Sequence, residues 1–222
     1  MNRQQLLRQM ACLGLAVLLL AGCGGAQVEP TTTPTPLPTI STATRTPVPP
    51  TPMRTLEGQQ ALFVLYELFE EQEYGEPRAI LEDKGVIITV ASSSLDVLTG
   101  HQGMEVQPNV VLSDVRAADY AVIVFIGGYR YNRDDPEAQR IAQEAVAEGK
   151  LLAAICVAPI TLAKAGVVEG KRVTASMWIS QLEEAGAIFA GGPVQRDGLI
   201  ITANGPDASR QFGEAIAAAL EE

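Results

Sequence analysis

Cys156 is the residue of this chain whose setting most resembles that of a reagent. It lies in "LLAAICVAPITLAKAG" (151–166), where a solidly apolar run ends and a helical pattern begins. A side chain on a tight strand-to-helix turn is exposed, and the following helix N-terminus offers backbone N–H groups and a positive dipole end. Both would favour the thiolate, which is the form that reacts. The same position also suits a small buried residue closing a core strand, and position alone does not separate the two readings. A nucleophilic cysteine commonly needs a base. The chain has a single histidine, His101. It falls in "TGHQGMEVQP", and in a surface loop a solvated histidine is expected rather than a catalytic one.

The other two cysteines belong to a different argument. "MNRQQLLRQM" carries Arg3 and Arg8, and "ACLGLAVLLLAG" follows as an apolar run too short to span a bilayer. The run ends in "LAGC", the pattern of a bacterial lipoprotein signal, with residues 1–22 removed and Cys23 lipidated. Cys12 would leave with the signal and Cys23 would be consumed by lipid, so Cys156 would be the one free thiol of the mature chain. No intrachain disulfide framework is then expected. Loss of the two arginines takes the formal charge from −10 to −12. So acidic a chain, without a basic cluster, argues against nucleic acid and against electrostatic adhesion to anionic lipid. The expected location is the cell membrane, lipid-anchored on the extracytoplasmic side.

Residues 23–55 read as a linker. "PTTTPTPLPTISTATRTPVPPTPM" (30–53) is rich in proline and threonine and cannot bury enough surface to fold. As polyproline II, at ~3.1 Å per residue, it would reach on the order of 70 Å. Its threonines could carry sugars or be a bare spacer.

Residues 56–222 have the size of one domain. "ALFVLY" (61–66), "VIITVA" (86–91), "YAVIVFIGG" (120–128) and "LLAAI" (151–155) read as buried strands. Between them, "EPRAILEDKG" (76–85) predicts a helix stopping at Gly85. "DPEAQRIAQEAVAEGK" predicts another, with Asp135 as N-cap, Pro136 at its first position and Gly149 as stop. "MEVQPNVVL" (104–112) reads as a hairpin or a pair of edge strands, and "ISQLEEAG" as a short helix. "VQRDGLIITA" reads as a hairpin turning on "DG", and "DASRQFGEAIAAAL" as an amphipathic helix with Phe212, Ile216 and Leu220 on one face. Strands and helices alternating in this way predict an α/β fold, a three-layer α/β/α sandwich around a mostly parallel sheet in a flavodoxin-like arrangement. Ligands sit at the carboxyl ends of such strands, and Cys156 lies at one.

"AAICVAPITLAKAGVVEGKRVTA" resembles the nucleophile-elbow segment of the DJ-1/PfpI family. "EYGEP", "TGHQGMEVQP", "FIGGYRYNRDDPEAQRIAQEAVAEGK" and "RDGLIITANGPDAS" resemble further stretches of that family, in the same order along the domain. The resemblance implies Cys156 as nucleophile and Glu73 as the carboxyl that contacts the sulfur. Without it, Glu73 in "EEQEYGE" would read as a solvated acid. Packed away from water, such a carboxyl is expected to be protonated and to donate to the thiolate. The resemblance further implies an oxyanion hole from the N–H groups of Gly128 and Val157, although a plain tight turn would also explain Gly127 and Gly128. Gly127, Tyr129, Arg133 and Ser176 are candidates for the surrounding pocket, which would take a small-molecule ligand. Pairing as a homodimer is implied by the family alone.

The chain also departs from the family. Proteolytic members carry histidine directly after the cysteine, where this chain has Val157, and others supply histidine from the loop that here reads "VTASMW", with Ser176 at that place. Peptide hydrolysis needs an acid for the leaving amine, and Val157 has no proton to give. The expectation is therefore a reactive thiol handling a small electrophile or an oxidant, with no metal and no cofactor. The competing expectation is a non-catalytic binding module on the same fold.

Overall fold

In the computed structural model, residues 55–222 are described. The signal segment, Cys12, Cys23 and nearly all of the linker lie outside the described residues. The chain runs through β1 (Gln60–Val64), α1 (Glu71–Asp83), β2 (Ile87–Ser92), the two-residue strands β3 (Leu98–Thr99), β4 (Glu105–Val106) and β5 (Val110–Val111), then β6 (Val122–Phe125), α2 (Pro136–Ala147), β7 (Leu151–Ile155) and α3 (Pro159–Lys164). It continues through β8 (Arg172–Val173), α4 (Ile179–Glu184), β9 (Ile188–Phe189), β10 (Val194–Asp197), β11 (Ile200–Ala203) and α5 (Ser209–Leu220).

The main sheet has the strand order β10-β11-β7-β6-β1-β2-β5, with β10 antiparallel and every other pair parallel. From β1 the chain steps outward to β2 and β5, then crosses back to place β6 on the other side of β1. That reversal leaves a crevice at the carboxyl ends of β1 and β6, where open α/β sheets hold ligands. The period of two in each strand divides the core. Leu62, Val64, Ile123, Phe125 and Leu152 pack with α2 and α3 on one face. Ala61, Phe63, Val122, Val124 and Ile155 pack with Phe212 and Ile216 of α5 on the other. Three layers result, as the sequence predicts.

Local signals behave largely as read. Asp135 caps α2, its side chain accepting the N–H groups of Glu137 and Ala138 at 3.0 and 3.4 Å. Gly149 stops the chain after α2 at φ 66°. One expectation is corrected. The first helix begins at Glu71, not residue 76, so Pro77 lies inside it. The proline leaves the carbonyl of residue 73 without its helical partner. Packing offsets this: Pro77 is buried, and α5 comes so close that a Cβ on Gly213 would sit 2.8 Å from its Cα. The segment 104–112 follows the second of its two readings, a pair of edge strands rather than a hairpin. β4 pairs with β3 in a separate ladder, while β5 joins the edge of the main sheet. Val110, half-buried, thereby packs against the large core, whereas the "PN" turn sends β4 elsewhere.

Candidate active site

The site is assembled from three strand ends. After β7, Cys156 adopts the left-handed conformation at φ 65°, costly for any residue with a Cβ. Its N–H donates to Ala203 O at the end of β11, at 2.9 Å, and its carbonyl accepts Ser176 N–H at 2.9 Å. The nucleophile is thus tied by its main chain on both sides, which is what makes the strained turn affordable. Ser176 Oγ lies 3.2 Å from the sulfur.

After β1, the chain swings through Leu68 into the first turn of α1 and delivers Glu73, fully buried. After β6 comes Gly127, whose N–H donates to Glu73 Oε2 at 3.1 Å. A Cβ at Gly127 would lie 2.6 Å from that oxygen and 2.7 Å from Cys156 Cβ. Glycine is required here because the carboxyl and the nucleophile converge on the same backbone atom. Gly128, at φ 158°, backs onto the main chain of Leu68 and Phe69. Among the described residues neither Gly128 nor Val157 gives its N–H to a backbone carbonyl, so both donors are available beside the sulfur.

Ionisation follows from this packing. Burial lifts the Glu73 carboxyl to about 7; the thiol and the Gly127 N–H oppose the shift, and the charge of Glu70 adds to it. A protonated Glu73 near neutrality agrees with the sequence reading. The expectation for Cys156 does not hold: burial, then the negative charge of Glu73, pushes the thiol up to about 12, against the pull of the Ser176 hydroxyl and the Val157 N–H. The helix after the elbow is only six residues long, too short to win against burial. The two groups titrate as a pair, the first proton leaving near 7.

The cleft above the sulfur has a volume of about 500 Å³. Glu70, Tyr129, Tyr131, Met177 and Trp178 form its walls beside Glu73, Gly128, Val157 and Ser176. Glu70, Tyr131, Met177 and Trp178 were not singled out from sequence. Trp178 carries the one usable signal, an aromatic residue two positions after Ser176. Gly127 lies beneath the cleft rather than in its wall. Arg133 is not in the pocket: its guanidinium covers the Trp178 ring at 4.8 Å, and it lines a separate groove with Ile160 and Lys164. A second cleft of about 410 Å³ lies at the opposite end of the sheet, near Gln59, Lys150 and Arg196. It gathers no nucleophile.

His101 is also corrected. It is not solvated but three-quarters covered, with Nδ1 2.8 Å from Glu71 Oε2 and 3.2 Å from Glu70 Oε2. Its ring lies 4.9 Å from that of Tyr129. Burial raises the Glu71 carboxyl, but the N–H groups of Gln102 and Met104 and the charge of His101 outweigh it and bring it below the usual range. His101 spends its contacts on these two acids, so no Cys–His dyad forms.

Comparison with known proteins matches this arrangement. The DJ-1/PfpI family model covers residues 59–219. A protein of Methanocaldococcus jannaschii is 33% identical over 160 residues, 69% of this chain and 78% of the relative. The deglycase PfpI of Pyrococcus furiosus is 29% identical over 148 residues, 65% of this chain and 89% of the relative. Among solved structures, the ThiJ/PfpI domain protein from Brachyspira murdochii superposes with a TM-score of 0.71 at 27% identity, covering 74% of this chain and 97% of that one. Drosophila melanogaster DJ-1beta gives 0.67 at 29% identity, covering 74% and 91%. The chain belongs to the DJ-1/PfpI family.

Proposed function

We propose that this DJ-1/PfpI family member is a cysteine-dependent enzyme acting on a small electrophilic carbonyl compound, held outside the cytoplasm by lipid on Cys23. One observation carries the chemistry: Glu73, Gly127 and Cys156 meet around a single backbone atom, beside the Gly128 and Val157 N–H groups, neither of which is given to a backbone carbonyl. Glu73 as carboxylate takes the thiol proton. The sulfur then forms a bond to the carbonyl carbon, and the displaced π pair becomes an oxyanion facing the Gly128 and Val157 N–H groups. Return of the proton from Glu73 gives a hemithioacetal, with atoms and charge balanced. The deglycase names borne by relatives agree with carbonyl chemistry of this kind. Peptide cleavage is not part of the proposal, since neither Val157 nor Ser176 replaces the missing imidazole as an acid.

The test is consumption of methylglyoxal by the wild-type chain and by Cys156→Ser. Turnover should fall below detection in the variant, and turnover retained in full would overturn the reading. A second reading rests on the apolar wall of Trp178, Met177 and Tyr129 and on the raised thiol: a pocket that binds a small molecule without turning it over. It would gain if both chains bound a ligand equally and neither turned anything over. Tethering is tested separately by the mass of the mature N-terminus, which should carry lipid in wild type and none in Cys23→Ala.

A further inference from the structure

Beside the cysteine pocket lies a cluster that the proposed reaction does not use. Glu70, Glu71 and His101 each offer one ligand atom, and the three atoms lie within 4.8 Å of one another. We propose that these residues form a site for one divalent first-row transition-metal ion at the rim of the pocket.

The cluster is more than an accumulation of acids. The Glu71 side chain is nine-tenths buried, and its Oε2 has no hydrogen-bond partner although it points at His101 Nδ1. Nδ1 is itself buried without a hydrogen bond. Two buried polar atoms face each other as an ion pair 2.8 Å apart, without a hydrogen bond at either atom. Such atoms are costly unless something else binds them. Two ligand atoms about 2.1 Å from a shared ion lie about 3.0 Å apart at a right angle and about 3.4 Å apart at the tetrahedral angle. The observed separations of 2.8 and 3.2 Å from Nδ1 to the two carboxylates fit edges of that size.

The ligands are also held from behind. Glu71 Oε1 accepts Gln102 N–H at 2.5 Å and Met104 N–H at 3.3 Å, which aims Oε2 inward. A side chain at Gly100 would collide with this carboxylate. The backbone N–H of His101 donates to Phe69 O at 3.1 Å, fixing the histidine beside the first turn of α1. Among the described residues, His101 is the only basic side chain paired with Glu70 or Glu71. Two carboxylates and one imidazole suit Zn²⁺ or Mn²⁺, with coordination positions left for water or a ligand. Glu70 is also a wall of the cysteine cleft, so an ion there would put positive charge at the mouth of an acidic pocket.

The experiment titrates Mn²⁺ into the full chain and follows the free-ion signal by electron paramagnetic resonance, a probe for which thiols compete poorly. One ion should bind per chain. His101→Ala and Glu71→Gln should each weaken binding at least tenfold, while Cys156→Ser leaves it unchanged. His101→Gln serves if the alanine variant unfolds, with circular dichroism as the check on folding. No binding at millimolar ion, or binding that survives both substitutions in folded protein, would overturn the proposal. Because Cys156→Ser isolates the reaction and His101→Ala isolates the ion, failure of either reading is distinguishable from failure of the other.

Discussion

The two edges of the central sheet solve the same geometric problem with different residues. At the amino ends of the strands, the chain turns through Gly85, Gly149 and Gly198, all at positive φ. At the carboxyl ends, Gly191 and Gly192 are joined in left-handed conformations by Leu68, Cys156 and Trp178, the only non-glycine residues with positive φ among the described ones. Glycine adopts that conformation without penalty, whereas a residue with a Cβ incurs about 1–2 kcal/mol. One edge is therefore built for economy. The other retains strained residues where a side chain is needed, and all three border or support the Cys156 cleft. At this edge glycine also serves another purpose: Gly127 makes room for two side chains to meet.

Substitutions can break or sharpen that contrast. The largest effect is expected from Gly127→Ala, which wedges a methyl group between Glu73 and Cys156. Alkylation of Cys156 by iodoacetamide should change at least a hundredfold, and the denaturation midpoint should drop sharply. Normal reactivity in this variant would show that the convergence is incidental.

Next in size is the pH dependence of stability. Glu73 binds its proton more tightly in the folded chain, with its value raised to about 7. Its contribution is therefore complete below about 4.5, the unfolded value, and is lost as pH rises through about 7. Wild type should lose about 3 kcal/mol from this group between pH 4.5 and 8. Glu73→Gln should flatten that part of the profile in urea melts at both pH values, and parallel profiles would sink the assignment. Cys156 alkylation should stay slow across this range, because the thiol is pushed up to about 12 and the Glu73 charge adds to that shift.

Smaller still is Gly149→Ala at the economical edge, where a Cβ meets nothing within 4 Å. It should cost about 1 kcal/mol from its positive φ and leave thiol reactivity untouched. Arg133→Ala should be mildest, losing about 0.5–1 kcal/mol of cation–π contact with Trp178 while alkylation proceeds at the wild-type rate. A large loss of reactivity there would return Arg133 to the pocket.

What the sequence shows and hides follows from the range of each signal. The elbow, the Asp135 cap and the alternation of strands and helices are local patterns, and they read correctly. The start of α1 is misread because Pro77 suits a first turn, and only its packing against Gly213 keeps it inside a helix. Glu73 becomes legible through the family resemblance, since an acid within an acidic run carries no sign of burial. The approach of His101 to Glu70 and Glu71 spans about thirty residues and depends on a two-residue ladder between β3 and β4. No periodicity reports it. Arg133 fails for a simpler reason: closeness in sequence to the diglycine does not say which face of Trp178 a long side chain will cover.

The tie between the Cys156 main chain and its neighbours, Ala203 on one side and Ser176 on the other, has a consequence for how such a centre changes over generations. The sulfur is located by peptide groups, which any residue at 203, and any but proline at 176, could supply. The groups that exchange protons with it, by contrast, are side chains. A lineage could therefore exchange Val157 or Ser176 for a base, or lose one, without relocating the nucleophile. The scaffold is inherited as a socket, and the reaction can be rewritten one neighbour at a time.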